Sequence, residues 1–440
     1  TVSPVSTLKN HERGINSSSL AAVFPFVRTC VLDEGGILLG ANKTNGYPFI
    51  LNLWKRGTLY QNSNAMIIGK SGSGKSYFLK TLIANEWANG TRVIVLDPEA
   101  EYLSLTRNLC GNIIDVGNAR EGRINPFHIY KILTEDGTPA DPKVTFNTHL
   151  KMLESFFKIV LADAPVDVIE LINNLVVETY ERMGITENTD CSAFSAEYFP
   201  LFSDLLETLQ SKDKERMDSL TLRDMRTAEL YLQKFVTGRY SDIWNAPSTL
   251  EVNANLIDFN FQSLFANKNN TVANAQMLLV FRFIEQEIIN AREMNKYGKN
   301  LRTMIVVDEG HLFIDAKFPI ALDFFYQMSK RIRKYNGSFI PATQNIADWN
   351  ANEELRSKTS AIIKNSQYLF VFKLAAPDMK DVLDVYKAGD SFNEEEQRMI
   401  ISAVTGQVFF VGSTELRACV NIKAGNYAKE LFDEKKEETI

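Results

Sequence analysis

The sequence predicts an α/β fold, built on a mostly parallel central sheet with an antiparallel hairpin at its edge and an all-α insertion. Three patterns indicate this fold class. A β-branched run, a helical period and a second β-branched run follow one another between residues 64 and 96, as in a right-handed βαβ unit. Further apolar runs are continuous rather than alternating, as in strands that are covered on both faces. Between about residues 126 and 235 only helical periods occur.

The composition is that of a globular protein, with 440 residues, 45% of them hydrophobic and 23% charged, which excludes disordered and fibrous classes. The formal charge is −6, so contact with DNA would need a local basic patch. No apolar run approaches the roughly 18 residues that span a bilayer, so no transmembrane segment is predicted. The cysteines (Cys30, Cys110, Cys191 and Cys419) lie far apart without CxxC spacing, which favours a reducing cytosol and disfavours metal ligation.

The amino-terminal part is predicted to contain a linker, hairpins and the βαβ unit. Residues 1–23 are interpreted as a linker, and the absence of an initiating Met leads us to expect a further part upstream. From 24 to 54 short apolar stretches alternate with glycine-containing turns, as in hairpins. A short strand at 64–68 leads into a glycine-rich loop, a helix begins at Lys75, and 92–96 is the next strand.

The remaining elements complete the sheet around the insertion, which we interpret as a lid or packing domain. Buried strands are predicted at 112–116, 254–259, 303–307, 338–342 and 368–374. Two late runs, 407–411 and 417–422, predict the antiparallel edge hairpin. The predicted domains are the linker 1–23, the first part of the core 24–125, the helical insertion 126–235, the second part of the core 236–425 and a charged tail 426–440.

The glycine-rich loop carries the most specific motif. Residues 69–76 read GKSGSGKS, which matches the P-loop pattern G-x-x-x-x-G-K-[ST] between a strand and a helix. Such a loop wraps backbone N–H groups around phosphate oxygens, Lys75 is expected to bridge the β- and γ-phosphates, and Ser76 to ligate Mg²⁺. The motif therefore predicts ATP or ADP with Mg²⁺ as cofactors. The predicted nucleotide-binding residues are Gly69, Lys70, Ser71, Gly72, Ser73, Gly74, Lys75, Ser76 and Tyr77. The Tyr77 ring either stacks on a base or packs.

Two adjacent acids end the predicted strand at 303–307. In P-loop enzymes the first acid, here Asp308, holds Mg²⁺ through its water shell, and a carboxylate one residue later polarises the attacking water. Glu309 is therefore the candidate general base, with a solvated loop acid as the alternative. Because parallel strands bring their carboxyl ends to one edge, these acids are expected near the P-loop.

Further candidates flank the strand predicted at 338–342. Gln344 follows it and would sense the γ-phosphate or orient water; the alternative is a capping glutamine. The run KRIRK precedes it, and Arg331 or Arg333 is expected either to reach the nucleotide of a neighbouring subunit or to end a solvated helix. Either arginine could instead contact nucleic acid.

Polar residues beside the motifs are open to two readings. Asp97 and Glu101, after the strand at 92–96, either position water or metal or organise a loop. His311 follows the two acids and is interpreted as a packing residue.

The ordered set of motifs resembles a known family. GKSGSGKS, DPEAEY, INPF, VVDEGH, RKYNG, ATQN and a late GQ are similar to the large ATPase of type IV secretion and conjugation systems, the family of the fourth VirB subunit. This family belongs to the HerA/FtsK group of RecA-like P-loop motors, so the resemblance implies a RecA-like core. The resemblance extends from about residue 24 to residue 426.

The resemblance also implies roles and partners. It implies Lys75 and Ser76 for phosphate and Mg²⁺, Asp308 with Glu309 as the second acidic motif, and Gln344 as sensor. Arg333 and Lys334 fall on its basic motif, and Gly406 with Gln407 on its last motif. The implied partners are a coupling protein, a traffic ATPase and inner-membrane channel subunits. The implied location is the cytoplasm, at the inner face of the bacterial membrane.

Three functional hypotheses follow. The first is an ATPase motor that acts as a ring, expected to be a hexamer when active, and drives pilus assembly and substrate transfer. A ring is expected because the basic motif cannot easily reach the phosphates of its own chain. The second is a DNA translocase like HerA or FtsK, and the third is a nucleotide-gated assembly scaffold with slow turnover.

Overall fold

The structure of the chain is a computed structural model. It describes residues 16–18, 30–58, 60–118, 122–132, 134, 138–213, 218–250, 254–266, 270–314, 320–344, 346–350, 353–386 and 392–433. Most of the predicted linker at 1–23 and the last residues of the predicted tail lie outside the described residues.

In the described part of the chain one large sheet of 11 strands organises the fold, and it confirms the predicted fold class. The strands are β1 (Ile37–Asn42), β2 (Pro48–Leu51), β3 (Ala65–Ile68), β4 (Arg92–Asp97), β5 (Asn112–Asp115), β6 (Leu256–Asn260), β7 (Thr303–Val307), β8 (Gly337–Thr343), β9 (Tyr368–Phe372), β10 (Gln407–Val411) and β11 (Arg417–Ile422). Their spatial order is β2-β1-β11-β10-β9-β3-β8-β7-β4-β6-β5. From β9 to β5 all neighbours are parallel.

Helices cover the sheet on both faces. They are α1 (Lys75–Ala88), α2 (Leu103–Asn108), α3 (Pro142–Val160), α4 (Val166–Arg182), α5 (Phe202–Gln210), α6 (Ser219–Val236), α7 (Ser241–Trp244), α8 (Gln262–Ala266), α9 (Asn270–Lys296), α10 (Ile320–Arg331), α11 (Glu353–Lys364), α12 (Ala376–Val385), α13 (Glu394–Ile401) and α14 (Asn426–Phe432). Side chains of each strand alternate between the two covered faces, so Ile67 packs with α1 while Met66 and Ile68 face the helices of the other layer. Continuous apolar strands are the sequence signature of this double coverage.

The antiparallel side of the sheet is made of two hairpins. The predicted hairpin β10–β11 pairs with β9 on one side and with β1 on the other. The β1–β2 hairpin therefore forms the outermost edge. This arrangement brings the region where hairpins were predicted next to the carboxyl-terminal strands.

Between β5 and β6 the described regular elements are helical, α3 to α7 with a short 3-10 turn at Ala196–Tyr198. Their core is aromatic: Phe156 and Phe235 pack on Trp244, with ring centroids 5.1 and 5.9 Å away. Trp244 belongs to this aromatic core although it lies beyond residue 235, where the insertion was predicted to end. The boundary at residue 235 stays a prediction. Within the described residues, no helix has the length and apolarity needed to traverse a bilayer.

Candidate functional site

The glycine-rich loop lies at the carboxyl end of β3, where the neighbouring strands also end. β8 is parallel to both β3 and β7, so the segments that follow these three strands meet at one edge. Gly69 N–H donates to the Thr343 carbonyl and Lys70 N–H to the Lys373 carbonyl, at 3.2 and 3.0 Å. The loop is therefore anchored between β8 and β9 before α1 begins.

Glycine is required where the loop turns. Gly72 and Gly74 have φ of +71° and +104°, which side chains disfavour. At Gly69 the constraint is space, because a Cβ would lie 2.4 Å from Cβ of Phe372. The loop can thus expose its backbone to a ligand only with these residue types.

Several donors of the loop converge on the Lys70 carbonyl. It accepts from Ser73 Oγ at 2.6 Å, from Ser73 N–H at 3.3 Å and from Lys75 Nζ at 3.4 Å. An ammonium, a hydroxyl and an amide directed to one point are what a phosphate group requires.

The structure brings Lys75, Glu309 and Gln344 together. Lys75 Nζ lies 3.4 Å from Glu309 Oε1, and Gln344 Nε2 donates to the same oxygen at 2.5 Å. Lys75 and Glu309 are only 4% and 5% exposed. A buried lysine therefore faces a buried carboxylate from a distant part of the sequence, with an amide that orients the carboxylate.

Glu309 occupies an unusual backbone position directly after β7. Its φ and ψ of 42° and 48° are left-handed, a conformation that costs free energy in a residue with a side chain. Burial alone would raise the pKa of Glu309, but His311, Lys75 and Gln344 outweigh burial and lower it. The carboxylate is thereby kept ionised and able to accept a proton.

His311 is more than the packing residue predicted from the sequence. Its Nδ1 lies 3.3 Å from Glu309 Oε2, although neither atom is aligned for a hydrogen bond. The short 3-10 turn at Gly310–Phe313 brings the ring back onto the acid that precedes the turn. His311 therefore belongs to the surroundings of Glu309.

Asp308 is fixed by two hydrogen bonds. Its Oδ2 accepts from the Tyr102 hydroxyl at 2.7 Å and its Oδ1 from Glu309 N–H at 2.9 Å. Burial raises the pKa of Asp308 to about 6; Tyr102 opposes this rise and Glu309 adds to it. The role of Tyr102 was not predicted, although its segment DPEAEY was noted. The contact depends on the pairing of β4 with β7.

Asp97 stabilises the loop that carries Tyr102. Its carboxylate accepts from the N–H groups of Glu99, Glu101 and Tyr102 at 3.2, 3.1 and 2.9 Å. Of the two readings left open, these bonds support loop organisation.

Arg331 and Arg333 lie away from this cluster. Both are exposed and precede β8, whereas Gln344 follows it, so a strand length of about 20 Å separates them from the site. Tyr77 packs: its ring meets Phe432 edge-on at 5.5 Å and its hydroxyl accepts from Ala424 N–H at 3.3 Å.

A family model for the TraG P-loop domain matches residues 36–407, which is most of the chain. The chain belongs to the TraG P-loop domain family. This assignment covers both the glycine-rich loop and the acids after β7, and it confirms the motif-based recognition of the conjugation and type IV secretion ATPases.

Relatives of this TraG-type chain are distant in sequence. An uncharacterized protein of Bacillus anthracis, pXO2-09, is 22% identical over 431 residues, which cover 91% of this chain and 66% of that protein. Protein TraC of Escherichia coli K12 is 23% identical over 389 residues, covering 87% of this chain and 40% of TraC. The chain thus spans less than two thirds of the length of these relatives.

Solved structures share the fold of this TraG-type chain. VirB4 of Thermoanaerobacter pseudethanolicus has a TM-score of 0.75 and 29% identity, covering 91% of this chain and all of that one. The plasmid coupling protein TrwB in complex with ADP and Mg²⁺ has a TM-score of 0.52 at 13% identity, covering 91% of this chain and 95% of that one. At that identity TrwB supports the fold alone.

The residues of this TraG-type site fit Mg²⁺ only together with a nucleotide. In the part of the chain that the structure describes, no group of three or more His, Cys, Asp or Glu side chains is placed so that it could hold a metal ion by itself. Asp308 keeps one further lone pair on each oxygen, and Ser76 lies at the start of α1. Phosphate oxygens and water would have to complete the shell, as is usual for Mg²⁺.

Proposed function

We propose that this chain is the motor part of a Mg²⁺-dependent ATPase that energises type IV secretion or conjugative transfer, including pilus assembly. The observation that carries the proposal is the contact of buried Lys75 with buried Glu309 at the mouth of a glycine-rich loop. A cation for phosphate and an ionised carboxylate for water are the two groups that phosphoanhydride hydrolysis needs.

Each residue then has one task. The loop amides and Lys75 bind the β- and γ-phosphates, while Ser76 and Asp308 would hold Mg²⁺, which neutralises phosphate charge when bound. Glu309 accepts a proton from the attacking water, and the Gln344 amide, 2.5 Å from Glu309 Oε1, orients that carboxylate. Tyr102 fixes the direction of Asp308.

Arg331 and Arg333 act in trans in this proposal. Because about 20 Å of sheet separates them from their own loop, only a neighbouring copy could receive them. The active form is accordingly a homo-oligomeric ring, proposed as a hexamer. The proposed partners are a coupling protein, a traffic ATPase and inner-membrane channel subunits, and the proposed location is the cytoplasmic face of the inner membrane.

The test of hydrolysis is Glu309→Gln, which keeps the shape and the contact with Gln344 but removes the proton acceptor. We expect ATP binding to persist while turnover falls by at least about 100-fold. Glu154→Gln, on the exposed face of α3, is the matched control and should keep wild-type turnover. Hydrolysis at the wild-type rate by Glu309→Gln would contradict the assigned role.

A second candidate function, DNA translocation, is favoured by the charge at the amino ends of the parallel strands. Exposed cations cluster there, and within the described residues none forms an ion pair: Lys299, Lys330, Arg331, Arg333, Lys334 and Lys364. We call this set the basic edge. It stands out in a chain of net charge −6.

Binding of labelled duplex and single-stranded DNA at rising salt tests this second function. DNA bound through the basic edge would lose affinity steeply with salt, and the double variant Lys299→Glu, Lys364→Glu would weaken it further. The double variant Lys143→Glu, Lys158→Glu, on the insertion, is the matched control. Equal DNA affinity for both double variants would exclude the basic edge as the DNA surface.

A further inference from the structure

The outer side of the phosphate loop is held by the turn that precedes β10. Thr405 Oγ1 donates to the Gly72 carbonyl at 3.1 Å, and Gly406 N–H donates to the Ser73 carbonyl at 2.9 Å. These bonds join the loop to a segment that lies beyond all the residues assigned above to phosphate, water or metal.

The approach between loop and turn is close. A Cβ on Gly74 would lie 3.0 Å from Gly406 N and 3.3 Å from Gly406 Cα, both backbone atoms that cannot move aside. Gly406 itself has φ of +80° and open space around its own Cβ position, so only its backbone conformation favours glycine there. The two glycines therefore form one contact.

The bonds act on the loop carbonyls, and this sets the direction of the loop amides. In a trans peptide the C=O and the N–H of one unit point in opposite directions. Holding the Gly72 and Ser73 carbonyls from outside therefore aims the N–H groups of Ser73 and Gly74 into the loop. Backbone N–H groups aimed inward are the donors that a P-loop presents to phosphate.

The antiparallel part of the sheet fixes the turn that precedes β10. Ile422 N–H donates to the Gly406 carbonyl at 2.8 Å, which ties the turn to β11. The Gln407 side-chain oxygen accepts from Lys43 Nζ at 3.1 Å and from Val404 N–H at 3.3 Å. A shift of β11 or of the end of β1 would thus reach the loop through these few bonds.

We propose that Thr405 and Gly406 are positioning residues for phosphate binding, which hold the loop amides in the orientation that nucleotide di- and triphosphates require. This inference rests on the proposed nucleotide binding and deepens it. Through the turn at Gly406, a movement of the hairpins β10–β11 and β1–β2 would change the affinity of the loop for nucleotide. A contact made on the hairpins by another subunit would strengthen or weaken binding through the same turn.

The experiment measures ADP affinity by calorimetry for wild type, Thr405→Val and Thr405→Ser. Valine keeps the shape and removes the donor, so we expect affinity to fall about three- to tenfold; serine restores the donor and should bind within about twofold of wild type. Thr227→Val removes a comparable hydroxyl bond, to the Arg223 carbonyl, on α6 of the insertion and should bind as wild type.

Thermal unfolding without nucleotide separates positioning from a merely structural role. We expect the midpoints of Thr405→Val and Thr227→Val to agree. If Thr405→Val binds ADP as tightly as wild type, or if serine weakens binding as much as valine, the positioning role is wrong while nucleotide binding stands. If the wild-type chain itself binds no ADP, both the proposed function and this inference fail.

Discussion

Glu309 combines burial, a left-handed backbone and contacts with three other polar side chains. A residue is held in such a conformation only when its surroundings fix it, and here the contacts come from Lys75, Gln344 and His311. The hydrogen bonds and charges favour the ionised form over the protonated form. Local backbone strain and a buried, ionised carboxylate thus coincide at one residue, a combination that is typical of functional sites.

Motif residues were predictable because they follow strand ends in recognisable patterns. The sequence predicted Lys75, Ser76, Asp308, Glu309 and Gln344 as site candidates, and their roles stay proposals. Tyr102 and Thr405 could not be found in this way. Their contacts depend on which strands become neighbours, since β4 lies beside β7 and β10 lies near the loop only through β9.

At this scale we predict that Asp308→Asn stabilises the chain in the absence of Mg²⁺. Burial raises the folded pKa of Asp308 to about 6 from 3.8, so the wild type loses stability as pH rises through this window. The gain of the variant should be about 3 kcal/mol at pH 7.5 and only about 0.5 kcal/mol at pH 4, where Asp308 is neutral in the folded chain and roughly half ionised in the unfolded chain.

Urea unfolding at the two pH values measures this difference. Asp163→Asn, at an exposed position, should show no gain at either pH. If the unfolding free energy of Asp308→Asn at pH 7.5 is equal to or lower than that of the wild type, burial of the ionised Asp308 does not destabilise the folded chain.

The strands are the elements that the sequence predicted best. The predicted runs at 303–307, 407–411 and 417–422 coincide with β7, β10 and β11, because a doubly covered or hairpin strand leaves a clear apolar pattern. The pairing of β1 with β11 was not predictable. It joins segments at the two ends of the chain, and no local pattern specifies such a partner.

The insertion carries a pH-sensitive element, the buried pair His149–Tyr180. Tyr180 donates to the Phe127 carbonyl at 2.6 Å, so His149 Nε2, 2.8 Å from the tyrosine oxygen, must be the donor to it. Burial lowers the pKa of His149 to about 3. A histidine that stays neutral in the folded chain takes up a proton on unfolding below about pH 6.5. The free energy of unfolding therefore decreases as the pH is lowered below this value.

We therefore predict that His149→Gln reduces the acid sensitivity of the chain. Between pH 6.5 and pH 5 the wild type should lose about 2 kcal/mol more than the variant in urea unfolding. Lys151→Gln, on the exposed face of the same helix, should keep the wild-type pH dependence. Parallel pH curves for wild type and His149→Gln would show that the pair does not contribute.

At the scale of the whole molecule, the two ends of the parallel strands differ in chemistry. The carboxyl ends carry the loop, the acids and Gln344, whereas the amino ends carry the basic edge. A single copy cannot bring the two together, because the sheet separates them. Head-to-tail contact between copies would do so, and such contacts form a ring when the rotation between copies closes.

This arrangement predicts complementation between two inactive variants. Lys75→Ala lacks a functional phosphate loop but keeps the arginines, while Arg331→Ala, Arg333→Ala keeps the loop. Each alone should hydrolyse ATP roughly 1,000-fold more slowly than wild type, and the mixture should regain activity as mixed oligomers form. A mixture that stays as inactive as its components would argue against action in trans.

The most direct measurement is calorimetric titration of a non-hydrolysable ATP analogue with Mg²⁺ into wild type, Lys75→Ala and the surface control Lys158→Ala. Loss of the buried ammonium should weaken binding by at least about 100-fold, while the control binds as wild type, since its lysine pairs with Glu154 on the exposed face of α3. If Lys75→Ala binds the analogue as tightly as wild type does, the loop and the facing acids are not a nucleotide site.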